Sequence, residues 1–157
     1  MRVLIVFCFS LCQAFLSIGQ NPIVSSGHIE RINNFQSKYV DARNVDICFP
    51  EGYSVNEKYP VLYMHDGQML FDSSKTWNHQ EWKVDETVSL LIKNGTIKPC
   101  IVVGIWNNGP KRNFEYFPEK ALNYLPEEQK DTLMKNMKYP MQADLYLQFL
   151  VYELKPY

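Results

Sequence analysis

Two short apolar runs, Val61-Leu62-Tyr63-Met64 and Ile101-Val102-Val103-Gly104-Ile105, do most to limit what this chain can fold into. Neither alternates apolar with polar residues. A strand without alternation is apolar on both faces, the pattern of parallel sheets that carry helices on each side. Between the runs, Val84, Val88, Leu91 and Ile92 recur at helical spacing, and Asn94-Gly95 supplies a stop. Strand, helix, strand over this length predicts a βαβ unit with parallel strands and a right-handed crossover. The class is α/β.

Upstream, His28-Ile29-Glu30-Arg31-Ile32 is loosely strand-like, and Asn44-Val45-Asp46-Ile47-Cys48-Phe49 alternates with period two until Pro50-Glu51-Gly52 stops it. These predict an antiparallel pair with one wet face. Downstream, residues 107–139 are polar and irregular. Within them Pro126-Glu127-Glu128 marks a helix start, with Leu133, Met134 and Met137 as its sticky face. Leu147, Leu150, Val151 and Leu154 then predict an amphipathic helix running into Lys155-Pro156-Tyr157. Two doubly buried strands are too few to complete a parallel sheet. The expectation is a chain that stops where the next strand should begin, leaving residues 61–66 as a long apolar edge.

At the start, Arg2 precedes an apolar stretch over residues 3–16 broken only by Ser10 and Gln13, and Ser17 and Gly19 are small residues at the −3 and −1 positions. This predicts a cleaved signal peptide over residues 1–19 and a secreted or periplasmic protein, then a polar linker (20–27) and a partial domain (28–157). The rival is an uncleaved anchor, but the stretch is shorter than the ~20 residues a spanning helix needs, so no stable membrane anchor is expected. Cys8 and Cys12 follow Phe7 and Leu11, not the small residue a lipidation site wants. Without Arg2 the balance is 15 basic to 17 acidic residues. No clustered basic excess exists to neutralise phosphates, which argues against a nucleic-acid partner. Hydrophobic residues at 46 % and charged residues at 21 % are near globular averages and exclude wholesale disorder. Cys48 and Cys100 could pair in an oxidising compartment; each also reads as a small buried hydrophobe, and the sequence leaves the choice open.

The residues from Tyr59 through Pro60, Val61, Leu62, Tyr63, Met64, His65, Asp66 and Gly67 to Gln68, then Leu70-Phe71-Asp72, begin a collinear set of motifs. Trp77, Trp82-Lys83-Val84-Asp85, residues 101–105 with Asn107, Arg112 and Glu115-Tyr116-Phe117-Pro118 continue it, and residues 146–156 look like the helix before a nucleophile strand. Over roughly residues 40–157 the chain resembles the putative-esterase family of α/β hydrolases, which includes esterase D-like, enterochelin esterase-like and feruloyl esterase-like enzymes. The resemblance implies the N-terminal half of an α/β-hydrolase fold, truncated before the nucleophile-elbow strand: an antiparallel first pair, then parallel third and fourth strands with flanking helices. It also implies carboxylic ester hydrolysis through an acyl-enzyme, on a Ser in G-x-S-x-G served by a His and an acid, with no cofactor. Sugar-linked acetyl or feruloyl esters and siderophore esters are the substrates it suggests. The sequence holds no G-x-S-x-G; Ser25-Ser26-Gly27 lacks both the first Gly and the strand. None of the triad is found, and this chain alone is expected to be inactive.

One catalytic element is implied nonetheless. By family position the backbone N–H of Gln68 is the oxyanion donor, with Gly67 allowing close approach; such a donor is worth about 2.7–4 kcal/mol. The plainer reading of Asp66-Gly67 is a turn. His65, Asp66, Arg112, Glu115 and Tyr116 are candidate substrate contacts, since they follow parallel strands at their C-terminal ends. For the last three, a structural ion pair with a packed ring is the commoner arrangement. His65, Asp66, Asp72 and His79 lack the spacing of a helical His pair, so no metal site is expected, and His65 is read as fixing its loop by a hydrogen bond. Asn94-Gly95-Thr96 matches a glycosylation sequon but is already explained as a helix stop. Two rivals remain: a non-catalytic binding module, and a metal-dependent hydrolase using His65, Asp66 and His79.

Overall fold

A computed structural model describes residues 21–157; the expected signal peptide lies outside the described residues. The strands are β1 (His28–Phe35), β2 (Arg43–Phe49) and β3 (Val61–His65); helix α1 (Val84–Lys93) follows, and then β4 (Ile101–Ile105). They form one sheet in the order β1-β2-β4-β3. β1 pairs antiparallel with β2 and β2 antiparallel with β4, while β3 runs parallel to β4 with Val61 opposite Ile101 and His65 opposite Ile105. The βαβ unit is as the periodicity predicts. Its helix stops where expected, at Asn94, with Gly95 in the left-handed region at φ 69°.

Two cores sandwich the sheet, and β4 feeds both. On one face Val45, Val103 and Ile105 pack with Val40, Tyr146 and Phe149. On the other, Cys48 and Val102 pack with Ile29, Leu70, Phe71 and Val84. The wet face expected of β2 is therefore dry. Asp46, which looks solvent-facing in the alternation, is fully buried; it accepts two bonds from Arg31 (2.6 and 2.9 Å) and one from Trp106 Nε1 (2.7 Å). A buried carboxylate needs such partners, and the Arg31 stem and indole replace water on that face.

β3 is the apolar edge expected from the sequence. It lies at the sheet edge with no strand on its outer side among the described residues, and Val61, Leu62 and Tyr63 stay exposed.

The polar stretch contains α2 (Arg112–Tyr116), which the sequence does not announce, and α3 (Glu127–Asn136), which starts directly after Pro126 as predicted. No residue of α3 is buried, and Leu133 and Met134 are exposed. Its proposed sticky face covers nothing described, because two apolar side chains on ten residues offer too little area to hold a helix down.

The last helix, α4 (Ala143–Phe149), continues as a π-turn over Leu150–Leu154. It buries Ala143, Tyr146, Phe149 and Leu154, while Leu147 and Val151 are more than half exposed, which corrects the predicted face. The Lys155 N–H reaches back five residues to the Leu150 carbonyl (2.9 Å). The wider turn brings Leu154 under the sheet, a shift that a 3.6-residue period does not anticipate.

Residues 21–27, read as a linker, are pinned to the domain. The Ile23 N–H donates to Asp72 (3.0 Å), and the Ser25 N–H and hydroxyl both donate to Asp85 (2.7 and 2.9 Å).

Candidate active site

The C-terminal ends of β3 and β4 carry the candidate site. β3 ends at His65, and Asp66 then adopts the left-handed conformation (φ 55°, ψ 42°) that starts a 3-10 turn over Gly67–Met69. The turn lies flat on β4. A side chain at Gly67 would place its Cβ 2.5 Å from the Gly104 carbonyl carbon, so that position needs glycine for the loop to sit there, while one at Gly104 would press on the Leu70 side chain at 2.9 Å.

The Asp66 carboxylate anchors this loop. Arg112 holds it with both Nε (2.7 Å) and Nη2 (2.6 Å), and Asn107 Nδ2 adds a third bond (2.7 Å). The Arg112 hydrogen bonds, followed by that of Asn107, hold the Asp66 carboxyl below its ordinary value although burial opposes them. Asn107 also donates its backbone N–H to the Gln68 side chain (3.2 Å). The backbone N–H of Met69 is taken by Asp66 (2.8 Å), but that of Gln68 meets no acceptor among the described residues. The loop therefore carries an unpaired donor on a braced backbone.

Beside the loop lies a mainly apolar cleft of about 290 Å³, lined by His65, Tyr116, Tyr146 and Leu147 among others. His65 Nδ1 is 2.9 Å from the Tyr146 hydroxyl, and its ring lies against Tyr116 (4.8 Å between centroids) and Tyr146 (5.5 Å). The expected hydrogen bond of His65 exists, but it ties β3 to α4 and not to its own loop. Burial lowers the His65 pKa, which keeps the imidazole neutral at pH 7, and burial likewise pushes the Tyr116 phenol up to about 12.

The trio Arg112, Glu115 and Tyr116 makes no internal ion pair. Arg112 goes to Asp66. Glu115 is buried and takes both Arg43 Nη atoms (2.9 and 2.7 Å), with that guanidinium 5.1 Å from the Tyr146 ring centroid and 5.3 Å from that of Phe149. Both carboxylate oxygens of Glu115 are occupied, so the ion pair expected within the trio is made instead to Arg43, a residue outside it. Arg43 gives no sign of this role in the sequence: its partner is 72 positions away. In the sequence Tyr146 only opens a helix-like stretch, yet in the structure it touches His65, Tyr116 and Arg43.

The four residues of the metal reading disperse. Asp66 is held by Arg112, Asp72 accepts from Ile23 and Ser74, and His79 sits in the following loop at φ 54°. Among the described residues no three His, Cys, Asp or Glu side chains are grouped to hold a metal ion. Cys48 and Cys100 are both free thiols, and burial pushes Cys48 up to about 12. Among the described residues no helix is long and apolar enough to cross a membrane.

Comparison with known proteins agrees with this geometry. Residues 37–157 match the family model described as Putative esterase. A CE1 ferulic acid esterase from Anaeromyces mucronatus, solved in complex with ferulic acid, shares the fold at 22 % identity and TM-score 0.50, over 88 % of this chain and 44 % of its own. An IroE-like serine hydrolase from Shewanella oneidensis does so at 24 % identity and TM-score 0.51, over 82 % of this chain and 36 % of its own. The chain thus spans less than half the length of either solved structure. The family match runs from the turn before β2, through the braced loop, to the end of the last helix; the chain belongs to the Putative esterase family.

Proposed function

We propose that this chain is the N-terminal half of an exported serine esterase, and that it supplies the oxyanion loop of a site whose nucleophile, base and acid come from sequence beyond it. The unpaired Gln68 N–H on a braced loop carries the reading. When a serine attacks an ester carbonyl, negative charge gathers on the carbonyl oxygen. A donor already fixed in place stabilises that charge without reorganising as the reaction proceeds. The loop lies at the C-terminal ends of parallel strands, the usual ligand-binding end of such sheets. The open edge of β3 gives the nucleophile strand a place to pair, and the sequence itself contains no G-x-S-x-G.

Ferulic acid is bound by the Anaeromyces relative. The apolar cleft beside His65, walled by two tyrosine rings, suits an aromatic or other apolar acyl group on a sugar-linked or comparable ester. His65, neutral there, serves as a wall and hydrogen-bonding group. Asp66 and Arg112 act on the loop, and Glu115 on the core. Arg2 and the apolar run that follows support export, with cleavage before Gln20.

Nucleotide sequence past Tyr157 tests the reading at once. It should encode a short apolar strand and G-x-S-x-G within roughly 20–40 residues, the spacing of such strand-turn-helix elements. Absence of that motif in every frame overturns the fragment reading, as does phosphonylation of a serine in the 157-residue chain by a fluorophosphonate probe, with loss of fluoride. N-terminal sequencing of the secreted protein should begin at Gln20.

A further inference from the structure

We propose that Arg112 is a positioning residue: its two-point ion pair with Asp66 fixes the backbone from which the Gln68 N–H projects. This rests on the oxyanion reading above and assigns the groups that make the donor rigid.

Asp66 is the pivot. A non-glycine residue in the left-handed region costs about 1 kcal/mol or more and persists only where its surroundings over-determine it. Here they do. Three short hydrogen bonds converge on the carboxylate, two from Arg112 and one from Asn107. The same residue's carbonyl takes the Met69 N–H and closes the turn across Gln68. Any change in the Asp66 dihedrals therefore swings the Gln68 amide plane. Asn107 braces the loop from the other side: its side chain holds Asp66, its own N–H holds the Gln68 side chain, and its Oδ1 accepts from the Gly109 N–H (2.8 Å). Below, Gly67 rests on Gly104. The loop is supported on three sides, and Arg112 provides the strongest support.

The geometry also separates Arg112 from a substrate-binding arginine. Its Nε and Nη2 both face Asp66 and its guanidinium lies 5.0 Å from the Tyr116 ring centroid, so its two-point bond is made within the protein, even though the side chain is 44 % exposed. Glu115, on the same short helix, meets Arg43 in a pair with 2 % and 0 % side-chain exposure. That second pair makes no hydrogen bond to Asp66, Asn107 or Gln68 and packs against Tyr146 and Phe149 in the core.

The test uses the full 157-residue chain labelled with ¹⁵N, and acetate as a carboxylate probe of the oxyanion position. In the unmodified chain the Gln68 amide signal should shift saturably with acetate. In Arg112→Gln the apparent affinity should fall about tenfold, the order expected for one misaligned hydrogen bond to a charged group. Arg112→Lys keeps the charge but loses the fork, and should restore part of the response. The urea midpoint of each variant gives the control, since a merely structural role lowers the midpoint without changing the acetate affinity of molecules that remain folded. Should Arg112→Gln not fold, Asp66→Asn, which loses the charge at constant size, replaces it with the same expected loss. An unchanged acetate affinity in the folded Gln or Asn variant overturns the positioning role and leaves the oxyanion reading standing. No shift of Gln68 in the unmodified chain overturns the oxyanion reading, and the positioning role with it.

Discussion

β4 and β3 are both five residues long and almost wholly apolar, yet they end in different surroundings. Four of the five β4 residues are buried, whereas Val61, Leu62 and Tyr63 of β3 remain 43 %, 44 % and 38 % exposed. β4 has a strand on each side and a core on each face. β3 has one neighbour, β4, and only Met64 joins a core from it. The difference shows what an apolar run encodes: the burial a strand is suited to, which neighbours must then supply.

Several measurements would sharpen that contrast or break it. The largest effect is expected beneath the β2–β4 side. Glu115→Ala strands the Arg43 charge among Tyr146 and Phe149, which should cost about 3–5 kcal/mol in urea unfolding. Next, Ile105→Ala should cost about 2–5 kcal/mol, because Ile105 is fully buried in β4. Leu62→Ala on β3 should cost no more than about 0.5 kcal/mol, as surface substitutions do; equal losses at the two positions would break the comparison. Leu62→Lys places a charge on an open apolar edge, so it should suppress concentration-dependent association in sedimentation velocity without lowering the urea midpoint.

A smaller effect concerns acid. Arg112 holds Asp66 below its ordinary value of 3.8, so the pair's stabilisation is complete above that pH and is lost as pH falls through the lower folded-state value. A ¹³C titration of the Asp66 carboxyl should give a midpoint under 3.8, rising in Arg112→Gln. Smallest is a difference in labelling rate. Cys48 faces the buried β4 neighbour Val102, and its thiol is pushed up to about 12; a thiol reagent at pH 8 should modify the partly exposed Cys100 first.

Periodicity and punctuation in the sequence identify the βαβ unit, its parallel strands and the stop at Asn94-Gly95, since each is a local pattern. What escapes them is set by distant partners. Asp46 alternates like a solvent-facing residue until Arg31 and Trp106 close over it. The buried face of α4 is displaced by a π-turn that no 3.6-residue count reveals. In the candidate site, Asp66-Gly67 signals a turn and the family resemblance singles out Gln68. The brace around them spans 41 to 46 positions and leaves no local trace.

The pinning of residues 23–25 has a consequence for the order of assembly. These residues leave the ribosome early, but their acceptors, Asp72 and Asp85, lie 49 and 60 positions later. Docking of the leading segment must therefore wait for α1, and such long closures slow folding. That makes its attachment a late event, one that a probe placed near Ile23 could time.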